Sequence, residues 1–201
     1  MWITTFYRGL LAAVAGCLLS VAALAADTST SSHSSSSSSQ TSAFSEEEVM
    51  EKANAFFGET TEGLAKAIQK VFEDQGKPNA IITGEELSAA LGVGVRYGQG
   101  ELQTVDGETM PVFWQGPSVG FDLGANAAKV FTLVYNLNDV EKLFQRFPGV
   151  EGSIYVVAGV GVNYQKSGDM VLAPIRTGVG LRSGANVGYL HYNKEKSWIP
   201  F

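Results

Sequence analysis

The chain has 201 residues, 45% of them hydrophobic, with 14 lysines and arginines against 20 aspartates and glutamates, a formal net charge of −6. That acidity disfavours polyanions, so nucleic acid is excluded as a partner. One cysteine in the whole chain excludes an internal disulfide framework, and stability must come from burial.

Residues 1–25 read as a secretory signal: Arg8 supplies the positive region, residues 9–24 are apolar, and Ala23-Leu24-Ala25 is an A-x-A processing site. The run is too short for a retained span, which needs about 20 apolar residues. Cleavage at Ala25 predicts a periplasmic mature chain without a transmembrane span or cysteine. Loss of Arg8 from the 14 basic residues leaves 13 against 20 acidic, a charge of −7. Val14-Ala15-Gly16-Cys17 also satisfies a lipobox, the alternative in which Cys17 becomes a lipidated N-terminus. The apolar run continues past it through Leu18, Leu19 and Val21, which favours ordinary cleavage.

Residues 26–43 are rich in serine and threonine, with an unbroken serine run over 34–39, and cannot bury enough apolar area to offset their ordering entropy. They predict a linker, and His33 within it carries no site. Residues 44–78 predict two helices. Ser45-Glu46-Glu47-Glu48 has capping-box spacing, Val49, Ala53, Phe56 and Phe57 form a stripe, and Gly58 ends it. Leu64, Ala67, Ile68, Val71 and Phe72 form the second stripe, stopped by Gly76 and Pro78. Their polar faces are rich in carboxylates, which favours packing on a sheet over insertion at a membrane surface.

Residues 79–201 are β-rich, with strands predicted over 80–83, 90–98, 100–105, 110–115, 118–125, 129–136, 153–165, 170–182 and 185–193. Asp106-Gly107, Ser167-Gly168 and Ser183-Gly184 have hairpin-turn chemistry, so neighbours should be antiparallel. A short helix is predicted over 138–144. The string Gly92-Val93-Gly94-Val95-Arg96-Tyr97 returns as Gly159-Val160-Gly161-Val162-Asn163-Tyr164 and, loosely, as Gly178-Val179-Gly180-Leu181-Arg182. Read as strands, these put glycine on one face and large apolar side chains on the other, implying tight curvature or a close neighbour on the glycine face. Residues 130–135 are apolar at almost every position, as a strand covered on both faces would be. The fold class predicted is mainly β with flanking helices: a small, roughly eight-stranded, largely antiparallel β-barrel, monomeric, with the helices packed outside.

Catalytic chemistry is thin. Gly116-Pro117-Ser118-Val119-Gly120 matches G-x-S-x-G, but the alternation of Val119, Phe121, Leu123 and Ala125 continues a strand where a nucleophile elbow needs a helix. A hydrolase would have to use Ser118 with His191, the one histidine of the β-region. Neither of the first two Gly-x-Gly strings continues into a dinucleotide loop. Glu85, Glu86, Asp106, Glu108 and Asp122 make no metal shell or acid–base pair by spacing. No catalytic residue, metal site or cofactor is predicted. Asp122, in a strand between glycines, most simply answers Arg96, Arg176 or Arg182. Aromatics spread over the β-region could line an apolar cavity. Trp114, Phe121 and Asp122 are the candidate ligand contacts.

The 92–97 strand, Gln115-Gly116-Pro117-Ser118-Val119-Gly120-Phe121-Asp122-Leu123-Gly124, residues 129–135 and the closing Trp198-Ile199-Pro200-Phe201 resemble the envelope-integrity protein A family of proteobacterial periplasmic proteins. The likeness runs over 44–201 and implies a soluble periplasmic β-barrel that supports envelope integrity. The order of glycine-rich strand, Gly120-Phe121-Asp122-Leu123-Gly124, apolar strand, short helix and the Ala173-Pro174 step is more distantly similar to the SYLF lipid-binding domain. That second resemblance implies a lipid or membrane-surface ligand, with a structural or interaction role in the envelope as the alternative.

Overall fold

The computed structural model describes residues 43–59, 61–177 and 188–197, with the side chains of 89–93 and 118–126 outside the description. The third glycine string and the Ser183-Gly184 turn therefore lie outside the described residues.

Helix α1 (Glu46–Phe57) starts as its sequence dictates. The Ser45 hydroxyl accepts from the Glu48 N–H at 3.2 Å and the Glu48 carboxylate accepts from the Ser45 N–H at 2.7 Å, closing the capping box. Gly58, at φ 90°, ends it. Helix α2 (Glu62–Gln75) is capped by Thr61, whose hydroxyl accepts from the Leu64 N–H at 3.1 Å. It buries Leu64, Ala67, Ile68 and Val71, the stripe read from spacing.

Two very long strands follow, β1 (Ala80–Thr104) and β2 (Thr109–Tyr135), joined by a turn in which Gly107 has φ 88°. The sequence divided each into three. The breaks inferred near Gly98-Gln99-Gly100 and Gly116-Pro117 do not exist, because the strands pair in register through both points, interrupted only by an irregularity at Ala89/Ala90. After a single 3₁₀ turn (Val140–Leu143), where a longer helix was predicted, come β3 (Arg146–Pro148), β4 (Tyr155–Val157), β5 (Val160–Val162), β6 (Gln165–Ser167), β7 (Met170–Thr177) and β8 (Tyr189–Asn193). The predicted strand over 153–165 is divided: Ala158 and Gly159, at φ 46° and 83°, make the β4–β5 hairpin turn. Gly159 is thus a turn glycine and not a strand glycine, since L side chains rarely adopt its backbone conformation.

All pairings among the eight described strands are antiparallel, in the order β3-β8-β2-β7-β5-β4, with β1 on β2 and β6 on β7. Strand β2 is the hub. It pairs with β1 along one edge, while the other edge takes β8 at residues 113–115 and β7 at 129–135. The sheet curls strongly enough that β1 meets itself. A Cβ on Gly84 would lie 2.3 Å from the Gln99 carbonyl oxygen, and one on Gly100 would lie 2.2 Å from the Thr83 carbonyl oxygen. Only glycine permits the two arms of β1 to cross in backbone contact.

The curl gives the sheet two differently filled faces. Outside, Ile81, Phe131, Leu133, Ala173 and Ile175 form one core with Val49, Ala53, Leu64, Ile68 and Val71 of the helices. Inside, Ile82, Leu102, Val112, Trp114, Leu172 and Tyr192 form the other. Residues 130–135 are buried throughout, covered on both faces as their composition implies.

Candidate functional site

Period-two alternation carries three charged residues into the curl. Glu86 follows Ala80, Ile82 and Gly84 on the inner face of the first arm of β1, Arg96 precedes Gly98, Gly100 and Leu102 on the second, and Arg176 follows Leu172 on β7. All three are buried. Arg176 grips the Glu86 carboxylate with two nitrogens, Nε to Oε1 at 3.1 Å and Nη2 to Oε2 at 3.4 Å, and its Nη1 donates to Asn163 Oδ1 at 2.7 Å. Arg96 Nε lies 3.1 Å from the same Oε1, and the Trp114 indole N–H donates to Oε2 at 2.9 Å.

Burial works to raise the Glu86 pKa, but the charges of Arg176 and Arg96, with hydrogen bonds from Arg176 and Trp114, outweigh it and hold the carboxyl below its ordinary range. The carboxylate stays ionised inside an apolar curl. It is a fastener: through it the two arms of β1, β7 and the β5–β6 connection share one polar contact network.

Trp114 is the floor of this arrangement. Its indole lies flat on Gly98, where a Cβ would come within 1.9 Å of the ring. The crowded glycines of β1 flank the first repeated string, Gly98 covered by an aromatic ring and Gly84 and Gly100 by backbone, whereas Gly159 of the second string has open space around it. Gly116, first residue of the G-x-S-x-G string, has a similar reason: a Cβ there would stand 2.1 Å from the Tyr189 carbonyl oxygen.

Beside Trp114, between two stretches of the bent β1–β2 ribbon, lies a groove of about 340 Å³. Its walls include Leu87 on one arm and Tyr97 and Phe113 on the other, with Glu85, Lys129 and Lys196 at the margin. Leu87 is 58% exposed, a large apolar side chain facing solvent from the groove wall. Lys129 also donates to the Phe56 carbonyl at 2.9 Å and sits over the Phe56 ring, tying the groove's edge to the end of α1.

Of the three candidate ligand contacts, Trp114 borders the groove but is itself 3% exposed and engaged with Glu86. Phe121 and Asp122 sit on β2 opposite Leu91 and Ala90, and their side chains lie outside the described residues. The anion between Arg96 and Arg176 is Glu86. Ser118 lies within continuous strand, opposite Gly94, so its string makes no strand–turn–helix elbow. His191 is on β8 against Gln115, and burial together with Arg146 holds its imidazole below the ordinary range. Among the described residues no group of histidine, cysteine, aspartate or glutamate is placed to hold a metal ion, and no helix is long and apolar enough to cross a membrane.

Sequence reasoning named Glu86, Arg96 and Arg176 but did not join them. The available signal was parity: had 84–89 been read as strand, Glu86 would have fallen on the same face as Ile82, a carboxylate in a core position that demands a cation.

A β-sheet curled on itself, helices on its outer face and a sequence that matches no curated protein leave structure and family to speak. A crystal structure of a beta-barrel-like, uncharacterized protein from Brucella abortus is similar, with 47% sequence identity, a TM-score of 0.72, and coverage of 80% of this chain and 99% of that one. The family model described as envelope integrity protein A matches residues 42–201, which takes in every described element of the fold. By that match the chain belongs to the envelope integrity protein A family.

Proposed function

We propose that this chain is an exported, non-catalytic protein of the periplasm that supports the cell envelope by taking the apolar part of an envelope lipid into the groove beside Trp114. The observation that carries the reading is the groove, aromatic and aliphatic on its walls and charged at its margin. At about 340 Å³ it stands at the small end of ligand clefts, roughly 300–1,000 Å³. It suits one segment of an acyl chain and not a whole phospholipid. The acidic net charge argues that the apolar contacts, and not a general attraction to anionic headgroups, select the ligand. The strand setting of Ser118 supports the non-catalytic part of the proposal; turnover on an esterase panel abolished in both Ser118→Ala and His191→Ala would reverse it.

The test is native mass spectrometry and lipid extraction of the protein purified from its own periplasm. A co-purifying lipid that is lost in Phe113→Ala and Tyr97→Ala supports the reading. Clean protein that ignores liposomes and crosslinks to a protein partner overturns it. One observation favours that second role: Val150, Ile154 and Val156 are exposed at 41%, 46% and 54% around edge strand β4, an apolar surface of the kind that partners cover.

A further inference from the structure

We propose that β4 is a docking edge for an extended, basic and apolar peptide segment of a partner protein, added to the sheet as a further strand. The inference gives chemistry to the interaction role named above and is independent of the groove, none of whose walls lies on β4. The two ends of the strand order are built differently. At one end β3 carries Arg146 and Pro148, both of which discourage added strands, and the chain beyond it bridges to β6 at Gly149↔Gln165. At the other end Ile154-Tyr155-Val156-Val157 has no charge, no proline and no glycine, and among the described residues nothing pairs with the far side of β4.

Backbone geometry decides what this edge can take. Ala158 and Gly159, at φ 46° and 83°, form a two-residue turn with positive φ at both positions, which makes Val157 and Val160 a hydrogen-bonded pair. Alternation along the ladder then makes Val156↔Gly161 a non-hydrogen-bonded pair. The N–H and C=O of Val156 therefore point away from β5, toward the open edge, and no backbone group of the described residues takes them up. A strand laid beside β4 satisfies both; a helix or an acyl chain offers no such pair of groups.

Side chains add selection. Ile154 and Val156, two residues apart, are both exposed, as is Val150, so the added strand gains from apolar residues at alternate positions. Glu151 is the one charged residue of 150–157 and is exposed; with the net charge of −6 it favours lysine or arginine on the partner. A second copy of the chain is disfavoured by the same charge, since β4 paired with itself would join two acidic proteins. The edge is also held ready. Ser153 Oγ donates to the Val150 carbonyl at 2.6 Å and accepts from the Tyr164 N–H at 3.0 Å, while the Val150 N–H donates to the Tyr164 carbonyl at 2.8 Å. These bonds fix the turn that leads into β4, so docking requires little further ordering on this side.

The experiment is amide hydrogen exchange of the full chain, alone and with the synthetic peptide Lys-Val-Lys-Val-Lys-Val-Lys. In the free chain the Val156 amide should exchange as an open one, and with the peptide at about ten times its Kd exchange there should slow about tenfold. The same peptide N-methylated at alternate residues keeps its side chains but loses backbone donors, and should give no protection; its glutamate counterpart should bind more weakly. Val156→Pro removes the edge N–H where an edge strand tolerates proline and should abolish peptide binding, read by fluorescence anisotropy. Val156→Lys, which sets like charge against the peptide, gives the same reading if the proline variant does not fold. A Val156 amide already protected in the free chain, equal binding of the N-methylated peptide, or self-association of the chain that alone protects Val156 overturns the proposal. Failure of the peptide in a protein that carries lipid from its periplasm would sink this inference and leave the lipid reading intact.

Discussion

The two faces of the curled sheet are built on opposite plans. The outer face meets α1 and α2 chiefly through aliphatic and aromatic contacts, with the Phe56 and Phe57 ring centroids each 6.2 Å from that of Phe131, and with hydrogen bonds such as Lys129 to the Phe56 carbonyl at its margin. The inner face is glycine, aromatic rings and a buried Arg–Glu–Arg cluster. Apolar surfaces are non-directional and tolerate repacking when volume is kept. A carboxylate shared by two guanidiniums and an indole accepts only one arrangement of its strands. The outer face is held by apolar burial, and on the inner face the buried cluster adds directional contacts that tie β1 to β7 as the sheet curls.

Removing the shared anion is the strongest way to break that contrast. Glu86→Ala leaves Arg96 and Arg176 buried without it, and should destabilise by about 3–5 kcal/mol in chemical denaturation. Replacing Glu86, Arg96 and Arg176 together by apolar residues of similar volume should recover most of the loss. A triple variant as unstable as Glu86→Ala would refute the account. The same carboxylate predicts a pH effect. Its folded-state pKa lies below the unfolded value, so its contribution is complete above the unfolded pKa and is lost as pH falls through the folded one. The acid-side decline in stability should therefore be shallower in the triple variant than in the parent.

A smaller effect tests the crowded glycine face. Gly98→Val drives a side chain into the Trp114 indole and should cost about 1–3 kcal/mol, with a change in tryptophan emission as the ring is displaced. Valine at Gly107, in the β1–β2 turn with open space around it, would destabilise through its φ of 88° and leave Trp114 emission unchanged. The smallest effect belongs to the outer layer's edge: Ser45→Ala removes the α1 cap and should cost about 1 kcal/mol, read as a shift in denaturation midpoint with no change at the inner cluster.

The outer face was legible because its signals are local. A capping box, two helical stripes and the apolar run over 130–135 each declare themselves within a dozen residues, and the structure places them as read. The inner face was legible only as a pattern of glycines. Crowding was inferred for the glycines of the repeated strings, whereas the structure shows it at others: Gly84 meets Gly100, Gly98 meets Trp114 and Gly116 meets Tyr189 through contacts that depend on the curl. Turn residues misled where they stood inside long strands. Gly116-Pro117 is a break by composition, yet Pro117 pairs opposite Val95 in unbroken register. The groove was anticipated only as aromatic supply. Its walls come from arms of β1 and β2 that approach after the hairpin bends, and spacing along the chain carries no trace of that meeting.

The length of the β1–β2 hairpin has a consequence for how the molecule assembles. Its pairs run from Gln103↔Thr109 at the turn to Ala80↔Val134 at the open end, so the ladder can zip outward from Asp106-Gly107, each rung closing a loop only slightly longer than the last. The crossing of Gly84 over Gly100 and the meeting of Glu86 with Arg96 and Arg176 require a ribbon already formed and then bent, and they belong late on the path. Substitutions at the turn should slow refolding, whereas Glu86→Ala should act mainly by speeding unfolding. In such a protein the contacts that make the curl unique are those that govern how long it persists once made.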